Sequence, residues 1–78
     1  MNITYAAAAL KALRKLPVAD AAALRAKLAH YAQTGEGDVK RLVGLQGRYR
    51  LRHGDWRAIF EIENGVLVVK IAHRREVY

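Results

Sequence analysis

Asn64-Gly65 lies between two runs of strand-forming residues, Trp56 to Ile62 and Val66 to Ala72, and this junction constrains the fold more than any other stretch. Asparagine followed by glycine suits a type I′ turn, which needs φ > 0 at both central residues. Before the junction, Trp56, Ala58, Phe60 and Ile62 alternate with Arg57, Ile59 and Glu61, the period of two expected of a strand with one face inward. After it, Val66 to Ala72 is nearly all apolar and β-branched, as expected for a strand buried on both faces. An antiparallel hairpin is therefore expected here.

The segment upstream extends the hairpin. Gly47 to Arg57 reads Gly-Arg-Tyr-Arg-Leu-Arg-His-Gly-Asp-Trp-Arg, so Arg48, Arg50 and Arg52 fall on one strand face and Tyr49 and Leu51 on the other. At about 3.3 Å per residue the three guanidinium stems start roughly 6.6 Å apart along one line. His53-Gly54-Asp55 supplies turn residues, and Arg57 on the next strand can fold back beside the row. Nearer the N-terminus, Ile3-Thr4-Tyr5 reads as a brief strand. Ala6, Ala9, Leu10, Leu13 and Leu16 then form a helical stripe that Pro17 stops. Asp20 is the expected N-cap of a second helix bearing Leu24, Leu28 and Tyr31 and ending at Gly35 and Gly37. Two alanine-rich helices supply little apolar area and must dock on something larger. Lys40 to Leu45 is expected to be a connection, with bends at Gly44 and Gly47. The resulting order is β-α-α-β-β-β, an α+β fold in one domain over residues 1–78. A helical hairpin covers one face of a largely antiparallel sheet of about four strands, and the other face is left to the basic side chains.

The charge agrees with such a face. Fourteen Lys and Arg against seven Asp and Glu give +7 on 78 residues, an attractive field for polyanions such as nucleic acid or an acidic protein segment. A chain this short buries only about 60–65% of its unfolded surface, so a partner would add to a modest stability. There is no cysteine, hence no disulfide or thiolate metal site, and His30, His53 and His73 lack the spacing of a metal-ligand motif. Neither a metal nor a cofactor is expected. No signal-peptide pattern or membrane-length apolar run is present, and a cytoplasmic location is expected.

Four stretches together resemble the RelE/ParE superfamily of type II toxin–antitoxin toxins. They are Ala-Leu-Lys-Ala-Leu-Arg-Lys-Leu-Pro in the first helix, Val-Lys-Arg-Leu-Val-Gly-Leu before the arginine row, Tyr-Arg-Leu-Arg-His-Gly-Asp-Trp-Arg-Ala-Ile-Phe-Glu-Ile in the hairpin, and Val-Lys-Ile-Ala-His-Arg-Arg-Glu-Val-Tyr at the end. The last two are the specific ones. The resemblance implies a toxin held inactive by a cognate antitoxin, with an acidic or amphipathic segment that wraps the basic surface. In the RelE branch, which the chain resembles more, the toxin inhibits translation by cutting mRNA on the ribosome without metal. The alternatives it implies are a ParE-like poison of DNA gyrase with no nuclease activity, or a degenerate homologue that only binds antitoxin. RelE-like toxins place basic residues where this chain has Arg50 and Arg52, phosphate-binding arginines at Arg57 and Arg74, and a tyrosine at Tyr78. The chain departs from RelE in having arginines for lysines at the two strand positions and a shorter spacing from Arg74 to Tyr78, and no C-terminal helix is expected.

Metal-independent cleavage of RNA needs a deprotonated 2′-hydroxyl, a neutralised phosphoryl charge and a protonated leaving 5′-oxygen. Arg50, Arg52, Arg57 and Arg74, with Arg48 and Arg75 beside them, are suited to the second task as bidentate phosphate ligands. Arginine is ill suited to the other two, which leaves His73, His53 and Tyr78 as candidates for proton transfer. Each assignment has a plainer counterpart: the row as a solvated strand face, His53 as a solvated loop residue, and Trp56, Tyr49 and Tyr31 as core. Asp55 and Glu61 then serve as partners for neighbouring arginines.

Overall fold

Strand pairing converts these patterns into faces. The computed structural model describes residues 1–44 and 47–76. In chain order it contains β1 (Ile3–Tyr5), α1 (Ala7–Lys15), α2 (Val18–Thr34), β2 (Val39–Arg41), β3 (Arg48–His53), β4 (Trp56–Ile62) and β5 (Val66–His73). The strands form one sheet in the order β1-β5-β4-β3-β2. β1 runs parallel to β5, and the other neighbours are antiparallel. This is the expected α+β fold with one strand more: Val39-Lys40-Arg41, which overlaps the connection expected from Lys40 onward, pairs with Leu51, Arg50 and Tyr49. Three residues, two of them basic, carry no legible alternation, so their order comes from the strand beside them.

The helices begin and end on local chemistry. Pro17 stands at the N-cap of α2 with φ −51, so Asp20 is not the cap that the sequence suggested but a first-turn residue favourable to the helix dipole. The inter-helix connection shrinks to Leu16 and Pro17. Gly35 ends α2 in the left-handed conformation at φ 77, its N–H donating to the Tyr31 carbonyl at 2.8 Å. Among the described residues no helix is long and apolar enough to cross a membrane.

Ala9, Leu13 and Leu16 of the first helical stripe join Leu24, Leu28 and Ala32 of the second over Leu51, Ala58, Phe60, Val66, Val68 and Ile71. Phe60 is fully buried, with Tyr49 stacked on it at 5.6 Å and Tyr31 tilted against it at 5.3 Å between ring centroids. Both tyrosines, together with Trp56, border the core.

Two turns fix the register. Between β3 and β4 the closing pair is His53–Trp56, and Gly54 alone has positive φ (56), the type II′ pattern. At the second turn Asn64 and Gly65 both take positive φ (57 and 132), but the closing pair is Ile62–Val66, so three residues turn instead of two. The Val66 N–H that follows the turn donates to the Asn2 carbonyl, just before β1, at 2.8 Å.

A bulge in β5 reorders the faces. Ile59 pairs with Lys70 and Phe60 with Val68, leaving Val69 without an opposite number. Val66 and Val68 face the helices before the bulge, and Ile71 and His73 face them after it. β5 is therefore not buried on both faces as its composition suggested: Lys70, on the far face, is exposed.

Candidate nucleic-acid interface

On the sheet face away from the helices, cross-strand pairing sets Lys40, Arg50, Ile59 and Lys70 in one row and Arg52, Arg57 and Ala72 in the next. Arg48 and Glu61 form a third pair. Ile59, on this face, is only 4% exposed. Arg50, itself only 8% exposed, and Lys70 flank it on the neighbouring strands, and the aliphatic stems of such side chains cover apolar surface.

The arginines are held in different ways. Arg48 Nε donates to Glu61 Oε2 at 2.9 Å. Arg52 Nε donates to Asp38 Oδ2 at 2.8 Å, and the other oxygen of that carboxylate lies 3.7 Å from a terminal nitrogen of Arg50. That nitrogen is buried and has no hydrogen-bond partner among the described residues. Arg57 donates one terminal nitrogen to the carbonyls of Gly54 (2.7 Å) and Trp56 (3.0 Å), which aims the guanidinium without neutralising it. Arg52 and Arg57 stand directly opposite each other across β3 and β4, and like charges so placed repel unless an anion lies between them.

The tail residues sit elsewhere. Arg74 Nε is 3.4 Å from Asp55 Oδ1, and the Arg74 N–H donates to the Asp55 carbonyl at 2.7 Å. His73 pairs with Trp56, meets its ring edge-on at 5.5 Å between centroids, and has Nε2 4.0 Å from Asp55 Oδ2. His73 thus lies on the helix-facing side and not beside the arginine row, because the Val69 bulge shifts the alternation by one residue. The Arg75 N–H donates to His73 Nδ1 at 3.3 Å, and the Arg75 side chain is exposed. Tyr78 lies outside the described residues.

Sequence reasoning missed two features. Asp38, which joins Arg50 to Arg52, gave no signal because the strand it precedes was not legible. His53 is no solvated loop residue either. Lys27 Nζ lies 3.0 Å from its Nδ1 and Asp20 Oδ1 lies 3.1 Å from its Nε2. Since an ammonium can only donate, Nδ1 accepts and Nε2–H donates to the carboxylate. The partners are 26 and 33 residues away, beyond any local motif.

Two helices over one face of a small sheet is the fold this chain shares with solved RelE toxins. The chain belongs to the ParE toxin family of type II toxin–antitoxin systems, whose family model matches residues 3–78. Among solved structures it is similar to the RelB–RelE antitoxin–toxin complex of Methanococcus jannaschii, with 19% identity over 95% of this chain and 93% of that one and a TM-score of 0.80. It is also similar to the isolated Escherichia coli RelE toxin, with 20% identity over 91% of this chain and 81% of that one and a TM-score of 0.78. The RelBE2 toxin–antitoxin complex of Mycobacterium tuberculosis gives 26% identity, 92% and 95% coverage and a TM-score of 0.71. No curated protein sequence matches the chain.

Proposed function

We propose that this toxin inhibits translation by cutting ribosome-bound mRNA. The observation that carries the reading is the sheet face away from the helices, on which Arg50, Arg52 and Arg57 stand together, with Arg52 and Arg57 directly opposed. These guanidinium groups bind the scissile phosphate and neutralise the charge that builds on its oxygens as the 2′-oxygen attacks phosphorus and the 5′-oxygen leaves. The product is a 2′,3′-cyclic phosphate. Arg74 and Arg75 extend the phosphate contacts at the sheet end, and Arg48, paired with Glu61, flanks them. Proton transfer falls to His73 or Tyr78. His73 serves only RNA that passes round the end of the sheet, where Asp55 holds both His73 and Arg74. Without a well-placed acid or base the rate falls by roughly 10²–10⁴, so binding outlasts cleavage in such a variant. Purified toxin mixed with ribosomes and message in EDTA is expected to yield fragments ending in cyclic phosphate, and intact message overturns the reading.

A cognate antitoxin is part of the proposal. Its support is the charge of +7 and the likeness to toxins solved together with their antitoxins. An acidic or amphipathic segment laid on the basic face would offset that charge in a cytoplasmic complex. A second reading, poisoning of DNA gyrase, draws support from the position of His73 off the arginine face, since a protein-binding surface needs no acid or base there. Inhibition of gyrase supercoiling with message left intact would select it.

A further inference from the structure

Asp38 occupies the place a ligand would take. Its two carboxylate oxygens face two arginines that stand two residues apart on one strand face, at 2.8 Å from Arg52 and 3.7 Å from Arg50, much as two oxygens of a phosphate would. The longer contact is not a hydrogen bond, and it leaves a nine-tenths-buried guanidinium with an unsatisfied nitrogen, an arrangement native interiors seldom tolerate. Asp38 is itself 44% exposed at its side chain, and it follows Gly35 and Gly37, both at positive φ, on the short loop that leads into β2. Beside it opens a cleft of ≈ 270 Å³ that Asp38 and Arg52 line together with Lys27, His30 and Glu36. The carboxylate therefore has open space beside it into which it can turn from Arg50.

We infer that Asp38 is an internal counter-anion for Arg50 and Arg52, displaced when a phosphodiester of single-stranded RNA binds between them. The inference rests on the nucleic-acid reading for the source of that phosphate. Asp38 then sets the affinity of the site: it keeps two neighbouring guanidinium groups compensated in the free toxin and competes with every incoming phosphate. An incoming phosphate supplies the hydrogen bond that Arg50 lacks.

The test compares wild-type toxin, Asp38→Asn and Asp38→Ser with Glu63→Gln, a charge-matched control in the turn between β4 and β5. The probes are inorganic pyrophosphate and a short oligouridylate, followed by titration calorimetry. Both Asp38 variants are expected to bind both probes on the order of tenfold more tightly than wild type, the worth of one charge-assisted contact, with Glu63→Gln within about twofold. Equal gains for the Asp38 variants and Glu63→Gln would reduce the effect to net charge and overturn the proposal, as would loss of affinity in folded Asp38 variants. A gain for pyrophosphate alone overturns RNA as the ligand. Should the variants fail to fold, wild-type toxin labelled with ¹³C and ¹⁵N decides the matter: the Asp38 carboxyl and Arg52 Nε resonances must shift together as pyrophosphate saturates, and unmoved resonances overturn displacement. Message cleavage by wild type without any effect of Asp38 on binding sinks this inference and leaves the nuclease, whereas tighter binding without cleavage sinks the nuclease and leaves Asp38 in its role.

Discussion

Single side chains tie distant parts of this toxin together, and His53 does so most clearly. Its ring joins Asp20 and Lys27 of α2 to the end of β3, so removing it frees two polar groups and loosens the hairpin that carries Asp55 and Arg57. His53→Ala and Asp20→Ala are each expected to cost about 1 kcal/mol in urea unfolding, with a double-mutant coupling on the order of 0.5–1 kcal/mol. Independent, additive losses would contradict the network. Tyr5 gives a pH signature. Burial pushes its phenol above the usual 10.0, and the Arg25 guanidinium over the ring works against that rise. The folded state thus holds the proton more tightly than the unfolded chain. The resulting stability is fully present below the unfolded pKa of about 10 and is lost as the pH rises through the folded value. Tyr5→Phe is expected to flatten the decline of the urea midpoint above about pH 10, and an unchanged slope would assign it to other groups.

Elements show how much was legible before folding. The alternation around Trp56–Ile62 and the leucine stripes of both helices were readable because period alone specifies a face. β2 was not, being three residues long and ordered by its partner. The bulge at Val69 was equally hidden, since an extra residue in an apolar run leaves the composition unchanged while reversing everything after it. The second turn shows the same dependence on context. Asn-Gly announced positive φ, but the turn takes three residues and packs against Asn2. A Cβ on Gly65 would lie 2.9 Å from the Asn2 carbonyl oxygen, and the backbone there has φ 132. Gly65→Ala is therefore expected to cost about 1–3 kcal/mol and to loosen β1 from β5, read as faster amide exchange at Val66.

At the scale of the whole molecule, the helices take one sheet face and leave charge to the other. If four or five arginines contact phosphates, affinity for single-stranded RNA is expected to fall with salt at a slope of about −3 in log–log form, from about −0.7 per contact. A slope near zero would mean that the face does not bind the backbone. The sequence by itself determined the two helices, the hairpins, the basic excess and the presence of Arg50, Arg52 and Arg57 at alternating, paired positions, because these follow from local period and turn chemistry. Only the tertiary structure decided which groups meet across elements: Asp38 between Arg50 and Arg52, His53 between Asp20 and Lys27, and His73 on the side away from the arginines. Those outcomes depend on strand register and on one extra residue in β5, and register is a property of pairs of segments that neither segment encodes alone.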